Sequence, residues 1–253
     1  MQKIIIGNLK MNLVSSSERE QYLKVFQKEL SKKKLVNAQI VLCPPVIHLE
    51  TFGRALGGKV NLGGQNCFWK EEGSYTGEIS PAMLKNFGCD YVICGHSERR
   101  KYFGETDQAI NLKVSAVLKN KLVPIICVGE TLEERRAGLT LPIITEQLKE
   151  IFAGIAQSNL KNIVIAYEPV WSVGSDVIPS ANEIMEARVL IRKILLASYA
   201  KKNMEKVRII YGGSVNSKTV KKTCVASGMD GALIGRESLT PKEFLKICKI
   251  IEG

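Results

Sequence analysis

Three residues that can do acid–base chemistry each come at or just after the end of a short apolar run: Lys10, His96 and Glu168. A carboxylate base, a neutral imidazole and a fixed ammonium together suit proton abstraction beside a carbonyl, where an enediolate oxygen must be stabilised. Each residue alone has an ordinary structural explanation. The prediction of an isomerase-type site therefore depends on the fold bringing all three together.

Glycine-rich turns after the last two apolar runs indicate an anion site beside this set. The seventh run is followed by Gly212-Gly213-Ser214, and the eighth by Gly235 and Arg236. Such turns can expose backbone N–H groups, which bind phosphate. Other polar residues at the run ends are Asn8, Gln65, Asn66, Ser97, Glu98 and Glu130.

Motifs for several other chemistries are missing from the sequence. There is no GxGxxG dinucleotide fingerprint, no Gly-x-Ser-x-Gly elbow and no CxxC pair, and the only histidines are His48 and His96. Hydride transfer, acyl-serine chemistry and a zinc site therefore lack their usual parts. We predict an enzyme that uses no cofactor and no metal.

Eight short runs rich in Ile, Val and Cys must position these residues. They are continuous rather than alternating, as is typical of parallel strands covered on both faces. Segments with helical periodicity separate them, for example 18–30 and 107–118. The runs are 3–7, 39–43, 60–63, 91–94, 124–128, 163–167, 208–211 and 231–234.

Helix start signals agree with this alternation. Ser17 with Glu20, and Thr131 with Glu134, predict capping boxes. Thr240 precedes Pro241 at a predicted first helical position. The fold prediction is an α/β protein, a (β/α)8 TIM barrel with a single domain over residues 1–253. In this fold the carboxyl ends of all strands share one rim, so the candidate residues should meet there.

The composition and charge of the chain limit the kinds of partner that it can bind. The chain has 253 residues, with 45% hydrophobic and 24% charged residues, and a net charge of +11. The basic surplus is scattered over helical stretches without an aromatic-flanked stripe, so we predict no nucleic-acid partner. No apolar run is long enough for a signal peptide or a membrane span, and the seven cysteines fit a reducing compartment. We expect a soluble, cytoplasmic protein.

Five motifs carry a resemblance to a known family. GNLKMN at 7–12, CGHSERR at 94–100, AYEPVWSVG at 166–174, YGGSV at 211–215 and GALIG at 231–235 resemble the triosephosphate isomerase family in order and spacing over the whole chain. The resemblance implies interconversion of dihydroxyacetone phosphate and D-glyceraldehyde 3-phosphate, in glycolysis and gluconeogenesis, without a cofactor.

The resemblance also implies a role for each site residue. Glu168 would be the base, His96 would polarise the carbonyl oxygens, and Lys10 with Asn8 would steady negative charge. The family is itself the standard example of a histidine kept neutral by a helix N-terminus, and that helix would begin near Ser97 and Glu98.

The loop after Glu168 resembles the family's mobile lid, which we define as residues 169–179, with Pro169-Val170-Trp171 as its hinge. Val173 and Leu233 would press on the carboxylate, and the Tyr211 hydroxyl would latch the closed lid. Backbone N–H groups at Gly174, Ser214, Gly235 and Arg236 would bind the substrate phosphate. The loop from Gln65 to Ser80 would dock into a second subunit, with Thr76 against Asn8 of the partner subunit, which implies a homodimer.

The chain departs from the family pattern at two places. The lid reads Ser-Val-Gly-Ser-Asp-Val from Ser172, where the family commonly has Ala-Ile-Gly-Thr-Gly-Lys, and Asp176 adds a negative charge near the bound dianion. Arg236 stands where the family usually has glycine. We expect its N–H donor to be kept and its side chain to point outward.

Two alternatives stay open at this point. The barrel could be a phosphate-binding enzyme of histidine or tryptophan biosynthesis or a pentose phosphate epimerase, although nothing in those explains Asn-x-Lys after the first run. It could also be a non-catalytic barrel that acts as a binding or scaffold protein for acidic partners. That protein would have no need of Lys10, His96 and Glu168 at once.

Overall fold

Eight parallel strands close into a barrel in chain order, with β1 paired to both β2 and β8. The structure is a computed structural model that describes residues 2–32, 35–175 and 177–253. Asp176, for which a charge effect on the lid is predicted, lies outside these residues. The strands are Lys3–Asn8 (β1), Ala38–Cys43 (β2), Asn61–Gly64 (β3), Cys89–Cys94 (β4), Val123–Val128 (β5), Val164–Tyr167 (β6), Arg208–Tyr211 (β7) and Gly231–Ile234 (β8).

Helices or shorter helical turns follow the strands around the outside, with a π-helical turn at Lys221–Val225 between β7 and β8, and the (β/α)8 prediction of fold class is confirmed. In the described part of the chain, no helix is both long and apolar enough to cross a membrane. The helices are Ser16–Ser31 (α1), Leu49–Leu56 (α2), Pro81–Asn86 (α3), Ser97–Phe103 (α4), Asp107–Lys119 (α5), Leu132–Arg136 (α6), Thr140–Ile151 (α7), Ala181–Leu196 (α8), Lys201–Met204 (α9) and Pro241–Glu252 (α10).

Two apolar layers explain why the strand sequences are continuous runs. Successive strand side chains point to opposite faces, so in β1 Ile4 and Ile6 fill the barrel interior while Ile5 packs outward against the helices. Phe26 of α1 and Phe244 of α10 belong to the outer layer. Both faces of each strand are therefore buried, and the strands form a rigid support for the residues at their ends.

Cap geometry corrects one sequence prediction. The N-cap of α1 is Ser15, whose side chain accepts a hydrogen bond from the Glu18 amide, so the predicted Ser17–Glu20 capping box is wrong. The Thr131–Glu134 box is present at α6. Pro241 occupies the first turn of α10 after Thr240, whose side chain makes no capping hydrogen bond.

Candidate active site

The carboxyl ends of the strands surround one cavity of about 140 Å³. Asn8 ends β1 and Lys10 follows it, His96 lies two residues after β4, and Glu168 directly follows β6. All four line the cavity, so the structure brings the candidate acid–base residues together. Val173, Gly174, Ser214, Leu233, Gly235 and Arg236 line it as well, whereas Ser97, Glu98, Tyr211 and Thr76 do not.

Lys10 sits in an unusual backbone conformation that its neighbours support. Its φ of 51° is left-handed, which costs a non-glycine residue about 1 kcal/mol. The Lys10 amide donates to Asn8 Oδ1 at 3.0 Å, and the Lys10 carbonyl accepts from Gln65 Nε2 at 2.9 Å. Its Nζ lies 2.5 Å from Glu98 Oε1. The ammonium is thus fixed from the first strand end and from α4.

His96 is the N-cap of α4, and this position sets its tautomer. Its Nδ1 accepts a hydrogen bond from the Glu98 amide at 3.2 Å. A nitrogen that accepts carries no proton, so the imidazole is neutral with its hydrogen on Nε2. Glu98 Oε2 is 3.6 Å from Nδ1, but the Glu98 carboxylate is paired instead with Lys10. The Nε2–H is therefore available to a carbonyl oxygen.

Glu168 is 2% exposed, and its two oxygens differ in their surroundings. Oε2 accepts a hydrogen bond from the Ser97 amide at 3.0 Å. Oε1 lies 3.3 Å from His96 Nε2 without the alignment of a hydrogen bond, and it has no hydrogen-bond partner among the residues that the structure describes. One oxygen positions the carboxylate, and the other keeps its proton-accepting capacity.

Small residues leave space for this carboxylate. A Cβ atom at Gly212 would lie 2.6 Å from Glu168 Cγ, so only glycine fits there. Cys127 of β5 is buried beside the site, and burial followed by the nearby Glu168 charge raises the pKa of its thiol. That thiol stays protonated and is a packing group.

The lid rests against the turns after β7 and β8. Ser214 Oγ contacts two lid carbonyls, at 2.7 Å on Ser172 and 2.8 Å on Ser175. The Arg236 side chain is exposed, as expected, but it does not simply point away from the site. Its Nη2 donates to the Gly174 carbonyl at 3.1 Å, so the guanidinium contacts the tip of the lid.

Two contacts hold the first part of the lid. One involves Tyr211, the residue that the resemblance implies as the latch, although its partner Ser172 was not predicted. The other joins Glu130 to Trp171 of the hinge and was not predicted from the sequence. The Ser172 hydroxyl, which is fully buried, lies 3.2 Å from the Tyr211 hydroxyl. Glu130 is also fully buried and accepts from Tyr167 Oη at 3.1 Å and from Trp171 Nε1 at 3.2 Å. Glu130 was identifiable as a polar strand-end residue. Its partner Trp171 is 41 positions away, and no sequence pattern connects them.

The loop predicted to contact a second subunit is well exposed at its centre. Residues 70–78, including Thr76, are exposed, and the Phe68 ring contacts the rings of Trp69 and Tyr75 at its base. Lys113 Nζ donates to Asn66 Oδ1 at 2.8 Å and fixes the start of the loop. The loop is therefore ordered by its own contacts, and the dimer contact at Thr76 stays a prediction.

Comparison with known proteins agrees with this geometry. A sequence profile described as triosephosphate isomerase matches residues 3–251. Proteins named triosephosphate isomerase are similar over nearly their full length. The relative from Dictyoglomus turgidum is 45% identical over 249 residues (98% of this chain and 99% of the relative), and that from Thermoanaerobacter pseudethanolicus is 40% identical over 245 residues (96% and 97%). The chain belongs to the triosephosphate isomerase family.

Proposed function

We propose that this chain interconverts dihydroxyacetone phosphate and D-glyceraldehyde 3-phosphate, with Glu168 as the base. The observation that carries the residue assignment is the unpartnered Oε1 of a buried carboxylate, 3.3 Å from the Nε2 of a neutral imidazole. At this separation the carboxylate can reach one substrate carbon while the imidazole reaches the oxygen on the adjacent carbon. Both side chains are attached to backbone at the ends of buried strands, which holds them in place.

Starting from dihydroxyacetone phosphate, whose carbonyl is at the second carbon, the proposed proton transfers are these. Glu168 Oε1 takes a proton from the carbon beside the carbonyl, and the released electron pair forms the double bond of an enediol. The carbonyl oxygen takes a proton from His96 Nε2, and the imidazole recovers one from the hydroxyl on the first carbon. Glu168 then returns its proton to the second carbon. The Lys10 ammonium stabilises negative charge on the oxygens throughout.

The phosphate end of the substrate belongs at the lid side of the cavity. Backbone N–H groups of Gly174, Ser214, Gly235 and Arg236 are the proposed donors, and the glycines allow the backbone to approach an anion closely. Binding energy gained here is used to hold the lid over the reacting carbons and to exclude water. Inorganic phosphate and sulfate should therefore compete with substrate, and failure to compete would remove this part of the proposal.

A homodimer is proposed through the loop from Gln65 to Ser80. The support is apolar exposure on the same side of the barrel, where Met11 is 93% exposed and Phe103 is 69% exposed. A cavity of about 320 Å³ lies between the loop base and Phe103 and could receive a partner's loop. Light scattering should give twice the chain mass, and Thr76→Arg should give a monomer.

A cytoplasmic location is also proposed, together with a single catalytic domain over residues 1–253. The location is supported by the cysteines, which are buried and form no disulfide among the described residues, as suits a reducing compartment.

A coupled assay that starts from D-glyceraldehyde 3-phosphate tests the function. The wild type should turn the substrate over, whereas Glu168→Gln should be folded and nearly inactive because an amide cannot accept the proton. A folded wild type without turnover would favour the scaffold alternative, in which the barrel only binds acidic partners.

A further inference from the structure

We propose that the guanidinium of Arg236, and not only its backbone N–H, binds the substrate phosphate and clasps the lid over it. This inference rests on the proposed function. It assigns a side-chain role to a position where the family usually has glycine and therefore no side chain at all.

The position of the side chain is the first observation. Arg236 follows β8 and lines the cavity, and its Nη2 reaches the Gly174 carbonyl, 62 positions earlier in the chain. Gly174 and Ser214 line the same cavity, and Ser214 Oγ contacts the lid carbonyls of Ser172 and Ser175. The guanidinium therefore bridges the loop after β8 and the tip of the lid at the phosphate end.

The charge balance of the cavity is the second observation. Lys10 and Arg236 are the cations among the described residues that line it. The Lys10 ammonium is paired with Glu98 and sits at the reacting end. No carboxylate in ranges 2–32, 35–175 and 177–253 lies within ion-pair distance of Arg236, although Glu237 lines the cavity too. Within the described residues, the positive charge of Arg236 is therefore not paired with a carboxylate.

Guanidinium geometry allows both contacts at once. The group has five N–H donors in a planar fork, and one of them is used on the Gly174 carbonyl. The remaining donors can hydrogen-bond phosphate oxygens, which arginine binds in a bidentate manner. A bound phosphate would then stabilise the arginine in place, and the arginine would stabilise the closed lid. Substrate binding and lid closure become coupled through one side chain.

The test compares Arg236→Gln and Arg236→Gly with Arg54→Gln. Arg54 is an exposed arginine on α2 that pairs with Glu50, so its variant removes the same net charge away from the cavity. The readouts are the dissociation constant of inorganic phosphate, measured by calorimetry, and kcat/KM for D-glyceraldehyde 3-phosphate. Turnover of D-glyceraldehyde, which has no phosphate, is the third readout.

Both Arg236 variants should bind phosphate about tenfold more weakly, as expected for the loss of a charge-assisted contact at an exposed position. Their kcat/KM for the phosphorylated substrate should fall by at least a similar factor. Turnover of D-glyceraldehyde should fall by a smaller factor, because only the lid contact and not the phosphate contact is lost for that substrate. Arg236→Lys should keep part of the affinity because the charge remains. The difference in phosphate affinity between the variants and the wild type should become smaller at high salt.

Phosphate affinity within twofold of the wild type in Arg236→Gln would overturn the inference. An equal loss in Arg54→Gln would overturn it as well, because the effect would then be one of net charge. An equal fold-loss in the turnover of D-glyceraldehyde would also overturn it, because the effect would then not depend on the phosphate. Calorimetry needs no turnover, so an inactive wild type would refute the proposed function without deciding this inference, which the phosphate affinities decide separately.

Discussion

At the scale of single residues, the two oxygens of Glu168 divide two tasks. The Ser97 amide holds Oε2 at 3.0 Å, and this hydrogen bond orients the carboxylate while Oε1 faces the His96 ring. The amide that holds Glu168 belongs to Ser97, the first residue of α4. The imidazole beside it belongs to His96, the N-cap of the same helix. The proposed base and the proposed electrophile are thus both held by the backbone at the start of α4.

Shortening the base by one methylene tests this positioning. Glu168→Asp should lower kcat roughly 100-fold with little change in KM, because a displacement of about 1 Å affects the transition state far more than substrate binding. Steady-state kinetics of the folded variant check the expectation. An equal effect on kcat and KM would count against the role of Glu168 as the base.

At the scale of elements, the start of α1 gives a matched pair of variants. Ser15→Ala removes the side-chain acceptor of the Glu18 amide and should lower the free energy of unfolding by about 1 kcal/mol. Ser17→Ala, inside the first turn, should change it by less than about 0.5 kcal/mol. Urea unfolding of both variants measures the difference, and equal losses would contradict the assigned cap.

The buried pair Ser172 and Tyr211 joins the lid, just after its hinge, to the end of β7. Burial raises the pKa of Tyr211, and the hydrogen bond with Ser172 opposes that effect in part. The hydroxyls are 3.2 Å apart, so Ser172→Ala and Tyr211→Phe should each destabilise the protein, whereas the double variant should lose less than their sum. The expected coupling energy is about 1 kcal/mol. Strict additivity of the free energies of unfolding would show that the hydroxyls do not interact.

The sequence predicted the elements well and the contacts between them poorly. All eight strands lie within two residues of the predicted runs, because burial on both faces leaves an unambiguous apolar signature. The start of α1 was misplaced because Ser15, Ser16 and Ser17 offer equivalent caps, and only the packing of the helix chooses among them. The contact of the Arg236 side chain with the Gly174 carbonyl was missed because the two residues are 62 positions apart and no sequence pattern connects them.

At the scale of the whole molecule, burial of thiols predicts how stability depends on alkaline pH. Burial raises the pKa of Cys89 and of Cys224 from 9.0 to about 12. Above pH 9 the unfolded chain loses these protons while the folded chain keeps them. The unfolded state then binds fewer protons, so the free energy of unfolding falls as pH rises from 9 towards 12. Buried tyrosines with raised pKa values, such as Tyr167, act in the same direction.

The free energy of unfolding should fall with a slope that approaches 1.4 kcal/mol per pH unit for each buried thiol or tyrosine with a raised pKa. Urea unfolding at intervals from pH 8 to pH 11 measures it, and Cys224→Ala should be less stable at pH 8 but show a shallower decline. A stability that stays constant over this range, or the same slope in the variant, would contradict the burial argument.

The barrel as a whole makes the chemistry possible, because residues 10, 96 and 168 are far apart in the chain and meet only where β1, β4 and β6 end. Conversion of D-glyceraldehyde 3-phosphate in D₂O, followed by proton NMR, tests this most directly. The wild type should form dihydroxyacetone phosphate that carries deuterium on the first carbon, and Glu168→Gln should lower the rate on the order of 1000-fold. A folded wild type that forms no product, or a Glu168→Gln variant that exchanges deuterium at the wild-type rate, would contradict the account.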